Sequence, residues 1–418
     1  MGKNITEKIL ARAAGLPEVS AGDEILAHPS SVLAYDFPGV TDMFFRQMKE
    51  DFQVARVPRP ERFAIFIDHM VPAAQPKEEK FHEGTRAWCR DNGVQLLERK
   101  GIGHQVATEM GYAVPGDLVL HHDGHVSQIG AFGTLAFGIR RNLIEAFISD
   151  KVRLQVPKTT RVELTGTLRK GVMARDLFHH MVRAMGPASC AFHVLELGGP
   201  AIAEMSMDGL QCICGLAMFL GALTAIVNPD ERILSLARQR TARNFEPLYS
   251  DADADYAATH TFDLGIVEPV VVVPPTPENT RDLRDYIGLE LNAGYLGSCV
   301  SGRLEDLEIA ASILRGHTVK PGFSLHVVPT SQDIMAEAGR RGYLSDLVEA
   351  GAFVSSPTCD YCYGHIATMA EGQRAVSTGT LNVRGRMGSM DSEIYLASAA
   401  TVAASAIEGR LTDPRDFL

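Results

Sequence analysis

Cysteines and carboxylate–histidine pairs dominate the chemistry available to this chain. Cys359-Asp360-Tyr361-Cys362 is a C-x-x-C, a spacing that serves zinc, thioredoxin-like redox exchange, iron–sulfur ligation or no metal at all. A thioredoxin-like pair opens a helix early in a βαβ domain, whereas this one follows Ser355-Ser356-Pro357-Thr358 near the chain's end. Zinc asks for a second pair, and Cys212 and Cys214 lie in an apolar run. Cys299 sits in Gly297-Ser298-Cys299-Val300-Ser301-Gly302-Arg303, a glycine-flanked loop whose backbone can approach a cluster closely. Three loop thiols are one short of a closed four-ligand site. On a cubane cluster they leave one iron free to act as a Lewis acid on hydroxyl and carboxylate oxygens, which suits dehydration rather than electron transfer. Asp68-His69, His104 in Gly101-Ile102-Gly103-His104-Gln105, and Asp123-Gly124-His125 add imidazoles oriented by carboxylates for proton transfer. Taken singly, each histidine reads equally well as a hydrogen-bonded residue at a strand end. Cys89, Cys212 and Cys214 read as small buried hydrophobes. His121 and His122 read as flanking residues, and His365 as either a partner of a cluster or a surface residue.

Short apolar strands position these groups. Ala64–Ile67 runs into Asp68-His69, and Asp117–Leu120, after the turn Pro115-Gly116, runs into His121-His122-Asp123-Gly124-His125. Residues 5 to 27 begin as a helix with a stop at Gly15 and Pro17. Leu210–Val227 is uncharged and long enough to span a bilayer, but Gln211, its small residues and the stop Asn228-Pro229-Asp230-Glu231 read as a buried core helix. Val152–Thr167 alternates like a half-exposed strand after the break at Pro157-Lys158. A third region opens at Val267–Pro277 and continues through a loop from Gly294 to Gly302, and Ala397–Ile407 has helical spacing. Boundaries near 160 and 260 give three regions, 1–160, 161–260 and 261–418. Together the elements make an α/β protein.

The chain has 418 residues, 45% of them apolar, which permits a large buried core. With 51 acidic against 40 basic residues the formal charge is −11, so neither nucleic acid nor another polyanion is an expected partner. Seven cysteines, an odd count, without an export signal argue against a disulfide framework and for a cytoplasmic setting with no membrane association.

In order, IDHMVPA at 67–73, GIGHQVATEMGYAVPGDLVLHHDGH at 101–125, PKTTRVELTGTL at 157–168, SMDGLQCICG at 206–215, GSCVSGRLEDLEIAASILRG at 297–316 and PTCDYC at 357–362 resemble the aconitase superfamily. The resemblance is to its 3-isopropylmalate dehydratase large-subunit branch and runs from end to end. It implies three aconitase-type α/β domains around a [4Fe-4S] cluster held by Cys299, Cys359 and Cys362. It also implies catalytic roles for Asp68, His69, His104, Asp123 and His125, and substrate binding by Gly124, Gln128 and Arg386. The reaction implied is the loss or gain of water at a small hydroxy di- or tricarboxylic acid: an open iron takes the hydroxyl, a histidine paired with an aspartate protonates it, and a base removes the proton alpha to a carboxylate. In that family the base is a serine on a swivelling domain, which this branch makes as a separate small subunit, so a small-subunit partner is expected.

The departures from that pattern also carry meaning. Gly124 replaces a serine, Gly215 and Phe219 replace an asparagine and a glutamate, and Leu381 replaces the first arginine of a segment whose second arginine is Arg386. A lost bidentate arginine removes charge-assisted bonds worth about 1.5–3 kcal/mol, pointing away from the family's usual dicarboxylate and toward a hydroxy acid with a bulkier or less charged portion. Arg384 is a shifted source of charge. The alternative expectation is a non-catalytic relative serving as a binding or regulatory protein, although intact cysteines and histidines argue against it.

Overall fold

The computed structural model describes residues 2–139 and 143–418. Three sheets organise it. The first is wholly parallel, with strands Gln95–Glu98, Phe63–Ile67, Ser31–Tyr35, Leu118–His121 and Leu135–Gly138 in spatial order. The second, also parallel, orders Thr224–Val227, Val194–Gly198, Thr159–Thr165 and Ala258–Asp263. The third has seven strands, from Thr280–Asp282 at one edge to Phe353–Val354 at the other. It is parallel except where Val270–Val272 meets its two neighbours. A small antiparallel ribbon pairs Glu24–Ala27 with Val152–Gln155.

Parallel strands need helical crossovers that cover both faces, which is why Phe63–Ile67 and Leu118–His121 are buried at every residue. One continuous core joins the first two sheets, running from Leu33, Phe66 and Val119 to Val162, Leu195 and Leu197 and reaching Cys299 and Val300. The third sheet packs Leu296, Leu325 and Val376 against helices Leu304–Leu314 and Ala399–Glu408 in a core of its own. The carboxyl ends of the first and third sheets confront one another. There, Ile102 N–H donates to Thr330 O at 2.8 Å and Cys359 N–H to Asp68 O at 2.9 Å. The carboxyl edge of a parallel sheet is where α/β proteins build sites.

Two expectations need correction. Leu210–Val227 is not one helix: helix Met207–Leu216 tightens into a 3₁₀ turn, Ala217–Leu220, reverses at Gly221 with φ 79°, and re-emerges as strand Thr224–Val227. Glycine takes that left-handed turn without penalty, and β-branched Thr224, Ile226 and Val227 favour the strand. The expected loop from Gly294 to Gly302 begins as strand Ala293–Leu296, where a Cβ on Gly294 would press within 3.0 Å of Phe323. The opening helix is Ile5–Ala14, capped by Asn4 and ended by left-handed Gly15, and the rest of that stretch holds strand Glu24–Ala27. Val152–Thr167 divides at Pro157-Lys158 into Val152–Gln155 and Thr159–Thr165, the latter with alternating burial.

Candidate active site

Asp68 follows a fully buried strand and is itself 1% exposed, so its carboxylate has to be satisfied by protein groups. Oδ1 lies 2.7 Å from His69 Nδ1, and Oδ2 accepts the Gly103 N–H at 2.7 Å. That second bond fixes the start of helix Gly103–Glu109, the helix carrying His104. Gly103 is required for this approach, since a Cβ there would lie 2.8 Å from Phe66 Cγ. Burial alone pulls His69 down, but the adjoining Asp68 charge and hydrogen bond prevail and raise it above the usual imidazole value.

The second carboxylate, Asp123, follows strand Leu118–His121 and caps the 3₁₀ helix Gly124–Phe132. Its Oδ1 accepts the His125 N–H at 2.8 Å, and lies 3.1 Å from His125 Nδ1 and 3.5 Å from His104 Nε2. Burial pushes Asp123 up, yet the His125 charge and hydrogen bond, with His104 and His121, hold it well below the usual carboxylate range. His104 is pulled down by burial. The site therefore pairs a proton-retaining imidazole, His69, with a proton-releasing one, His104, the asymmetry that divided acid and base roles require.

Tyr35 joins the two pairs and was not anticipated from the sequence. It ends the strand lying between those of Asp68 and Asp123, donates its hydroxyl to Asp123 Oδ2 at 3.3 Å, and packs with ring centroids 4.7 Å from His69 and 4.0 Å from His122. A tyrosine closing an apolar run gives only a weak signal; its position between two titratable strand ends is what singles it out. His121 Nδ1 accepts the Asp123 N–H at 2.9 Å, so this flanking residue shapes the Asp123 turn. His122 is buried, is driven down to about 3 chiefly by that burial, and has no partner for either ring nitrogen among the described residues.

The thiol-bearing loops close over these pairs from the third sheet. Cys299 follows strand Ala293–Leu296 through Gly297, whose φ of 129° and approach of its Cβ position to Val328 O admit only glycine. Cys359 and Cys362 place their sulfurs 3.2 Å apart; the hydrogen bond between them pushes Cys359 up and draws Cys362 down. Between them, buried Asp360 receives the N–H groups of Met70 at 2.6 Å and Val71 at 2.8 Å, and the hydroxyls of Thr358 at 2.6 Å and Tyr363 at 2.7 Å. The C-x-x-C loop is thereby fastened to the residues just after His69.

This donor set fits an iron–sulfur cluster. Cys359 and Cys362 lie side by side, and Cys299 is close enough to both for the thiols' charges to act on one another, a set of soft sulfur donors of the kind such clusters take. His125 Nε2, Gln128 Nε2 and Arg386 Nε are buried atoms with no hydrogen-bond partner among the described residues, and His104 Nε2 has no partner closer than Asp123 at 3.5 Å, leaving polar capacity for a ligand.

A profile of the aconitase family (aconitate hydratase) matches residues 7–409. The chain belongs to the aconitase family. As such it is a hydro-lyase. The 3-isopropylmalate dehydratase large subunit 1 of Methanopyrus kandleri is 37% identical over the whole of both chains. The probable methanogen homoaconitase large subunit of Methanothermobacter thermautotrophicus is 35% identical over 99% of this chain and 97% of its own. A solved aconitase X from Thermococcus kodakaraensis superposes at a TM-score of 0.46 and 12% identity, covering 85% of this chain and 84% of its own, too loosely to support further comparison.

Within this family the departures acquire physical form. Gly124 stands beside open space, its nearest neighbour to a Cβ being Met218 Sδ at 3.8 Å. Gly215 is different, because a Cβ there would lie 2.8 Å from Val300 Cγ1 and 3.2 Å from Gln128 Cβ: Val300 fills the space a side chain would need. Phe219 is buried with its ring 6.5 Å from His125, and Leu381 packs half-buried on the main core. Arg384 is exposed and lines an open surface cavity with Pro274, Arg374 and Met390, whereas Arg386 lies close enough to Cys299 and Cys362 to act on both thiols. His365 stands 3.6 Å from buried Glu78 and stacks on Tyr363, which makes it part of the wall behind the C-x-x-C loop. Cys89 and Cys212 are buried thiols pushed up to about 12 by desolvation, Cys214 is pushed up likewise, and all three are inert packing groups.

Proposed function

We propose that this chain is the large subunit of an iron–sulfur hydro-lyase acting on a small hydroxy di- or tricarboxylic acid, with Cys299, Cys359 and Cys362 holding a [4Fe-4S] cluster. The observation that carries this reading is the attachment of the C-x-x-C loop to the first Asp–His pair, through Cys359 N–H on Asp68 O and the Asp360 carboxylate on Met70 and Val71. When bound, such a cluster supplies a Lewis-acidic iron for the hydroxyl group.

The protein's own groups account for the proton movements. His69, whose protonated form Asp68 favours, donates to the departing oxygen as the carbon–oxygen bond breaks, and takes that proton back in the hydration direction. Asp123 orients His125 and the neutral His104, which hold the water that forms. Gln128 Nε2 and Arg386 Nε remain for substrate oxygens and a carboxylate. The alpha proton passes to a base on a small partner subunit, a partner consistent with the large-subunit names of the relatives. Phe219 and Leu381 favour a substrate with an apolar portion.

Each sheet marks one of three α/β domains, with changes near 160 and 260. No helix among the described residues is long and apolar enough to cross a membrane, and a cytoplasmic setting suits the need to keep three ligating thiols reduced.

The test is turnover. The reconstituted chain, combined with small subunits from isopropylmalate dehydratase and homoaconitase relatives, is offered a panel of hydroxy acids while the conjugated double bond of the product is followed by absorbance. Turnover that falls by about 10²–10⁴-fold in His69→Gln supports the assignment. A cluster-loaded chain that turns over none of them favours a non-catalytic, regulatory relative.

A further inference from the structure

Arg303 is the largest fully buried side chain among the described residues, at 0% exposure. Burying a guanidinium is expensive unless an anion faces it. Yet every bond its side chain makes goes to a neutral oxygen: Nε to Gln105 Oε1 at 3.0 Å, Nη2 to Gln128 Oε1, and Nη2 to the Cys299 carbonyl at 2.8 Å. Nη1 has no partner among the described residues. The buried Asp306 carboxylate is near enough for the Arg303 charge to act on it, but it bonds the Arg303 backbone N–H at 3.2 Å rather than the guanidinium.

The neutral partners show where the guanidinium sits. Gln105 adjoins His104, Gln128 lies in the turn that starts at Asp123–His125, and Cys299 is a thiol of the loop opposite. Arg303 therefore stands where three separate segments of the site meet. A second buried arginine, Arg175, likewise bonds only carbonyls, those of Thr378 and Gly379; Ser298 Oγ, beside Cys299, donates to that same Thr378 carbonyl at 3.0 Å. Neither guanidinium hydrogen-bonds a carboxylate, although the buried Asp306 is near enough for charge to act between it and both, and the one ionisable side chain of the loop between Gly297 and Gly302 is Cys299. Thiolates gathered around a cluster carry net negative charge, an anion in addition to Asp306 for guanidiniums bonded only to neutral oxygens.

We infer that Arg303 is the built-in countercharge of the thiolate seat and the positioning residue that holds Cys299 against the His104 and Asp123–His125 segments. This rests on the reading of Cys299, Cys359 and Cys362 as cluster ligands. Arg303 touches no reacting atom on this account; it acts through Cys299.

Charge and hydrogen bonding are separated by two substitutions. Arg303→Lys keeps the charge and loses the fork; Arg303→Gln keeps polar donors and loses the charge. The anaerobically reconstituted proteins are compared by midpoint potential and by the rate at which a chelator strips their iron. The expected result is a midpoint potential shifted negative in Arg303→Gln, because a nearby cation favours the reduced cluster, with iron lost several-fold faster, while Arg303→Lys stays near wild type in both. Equal potentials in all three proteins overturn the countercharge even if activity falls, and leave the cluster reading intact. A wild type that binds no iron overturns both. Should Arg303→Gln fail to fold, Arg303→Lys decides alone: a wild-type potential supports the inference, and a potential shifted negative with iron lost as folding is retained overturns it.

Discussion

Asp360 and Met70, 290 positions apart, are joined by a 2.6 Å bond from the Met70 N–H to the Asp360 carboxylate. Met70 has a left-handed backbone, φ 55°, a conformation that costs a non-glycine residue of order 1 kcal/mol or more and persists only when its surroundings fix it. The Asp360 clamp supplies that constraint, setting the C-x-x-C loop and the His69 imidazole at a fixed separation.

Replacing Asp360 with asparagine removes the charge from four hydrogen bonds while preserving shape. Expected is a loss of about 1.5–3 kcal/mol of stability, read as a lower midpoint in a urea unfolding curve with an unchanged slope, together with faster iron loss from reconstituted protein. An unaltered midpoint would show that the clamp is not what fixes the loop.

The Asp68–His69 pair predicts a pH dependence with a definite sign. Asp68 raises His69 above its ordinary value, so the protonated acid persists to higher pH than an ordinary imidazole and turnover declines as pH rises through the raised value. The pair's contribution to stability follows the same direction, being full below the ordinary histidine value near 6.5 and lost as pH rises through the raised one. Asp68→Asn should move the alkaline limb of the rate profile to lower pH and reduce kcat by about 10²-fold or more; a limb that stays in place contradicts the assignment of His69 as the acid.

Tyr35→Phe deletes one hydroxyl from the bridge between the two pairs. A bond of 3.3 Å to a half-buried carboxylate is expected to be worth about 1 kcal/mol, or roughly a five-fold fall in kcat, with KM and thermal stability little changed. A change confined to thermal stability would make Tyr35 a packing residue only.

Gly215 and Val300 predict coupled behaviour. Gly215→Ala forces a methyl to within 2.8 Å of Val300 Cγ1 and should destabilise by about 1–3 kcal/mol through overpacking. Trimming the neighbour in Gly215→Ala with Val300→Ala should recover part of that loss in a double-mutant cycle. Gly124→Ser, by contrast, meets nothing closer than 3.8 Å and should leave the unfolding midpoint unmoved, so any change in KM it brings reports on substrate contact.

What the sequence makes legible is what is local. Strands ending in Asp68-His69 and in His121–His125 follow from runs of a few residues, and the thiols of Cys299, Cys359 and Cys362 stand out by residue type. Tyr35, Asp360 and Arg303 escape a sequence reading because their partners lie 88, 290 and 175 positions away, and nothing in a tyrosine at a strand end or an aspartate inside a C-x-x-C announces such contacts. The misread stretch Leu210–Val227 fails for a different reason: an apolar run has the same composition whether it is buried as helix or as strand, and only the left-handed turn at Gly221 divides it. Gly215 shows the converse, since its loss of a side chain looks like erosion until Val300 is seen filling the space.

Whether three thiols from two loops hold an open iron–sulfur cluster beside two Asp–His pairs is decided by anaerobic reconstitution with iron and sulfide, followed by metal and sulfide counting and an EPR spectrum, on wild type and Cys359→Ala. Expected are about four irons per wild-type chain, one of them labile to oxidation, and their loss in the variant. A wild type that takes up no cluster under those conditions contradicts the cluster assignment.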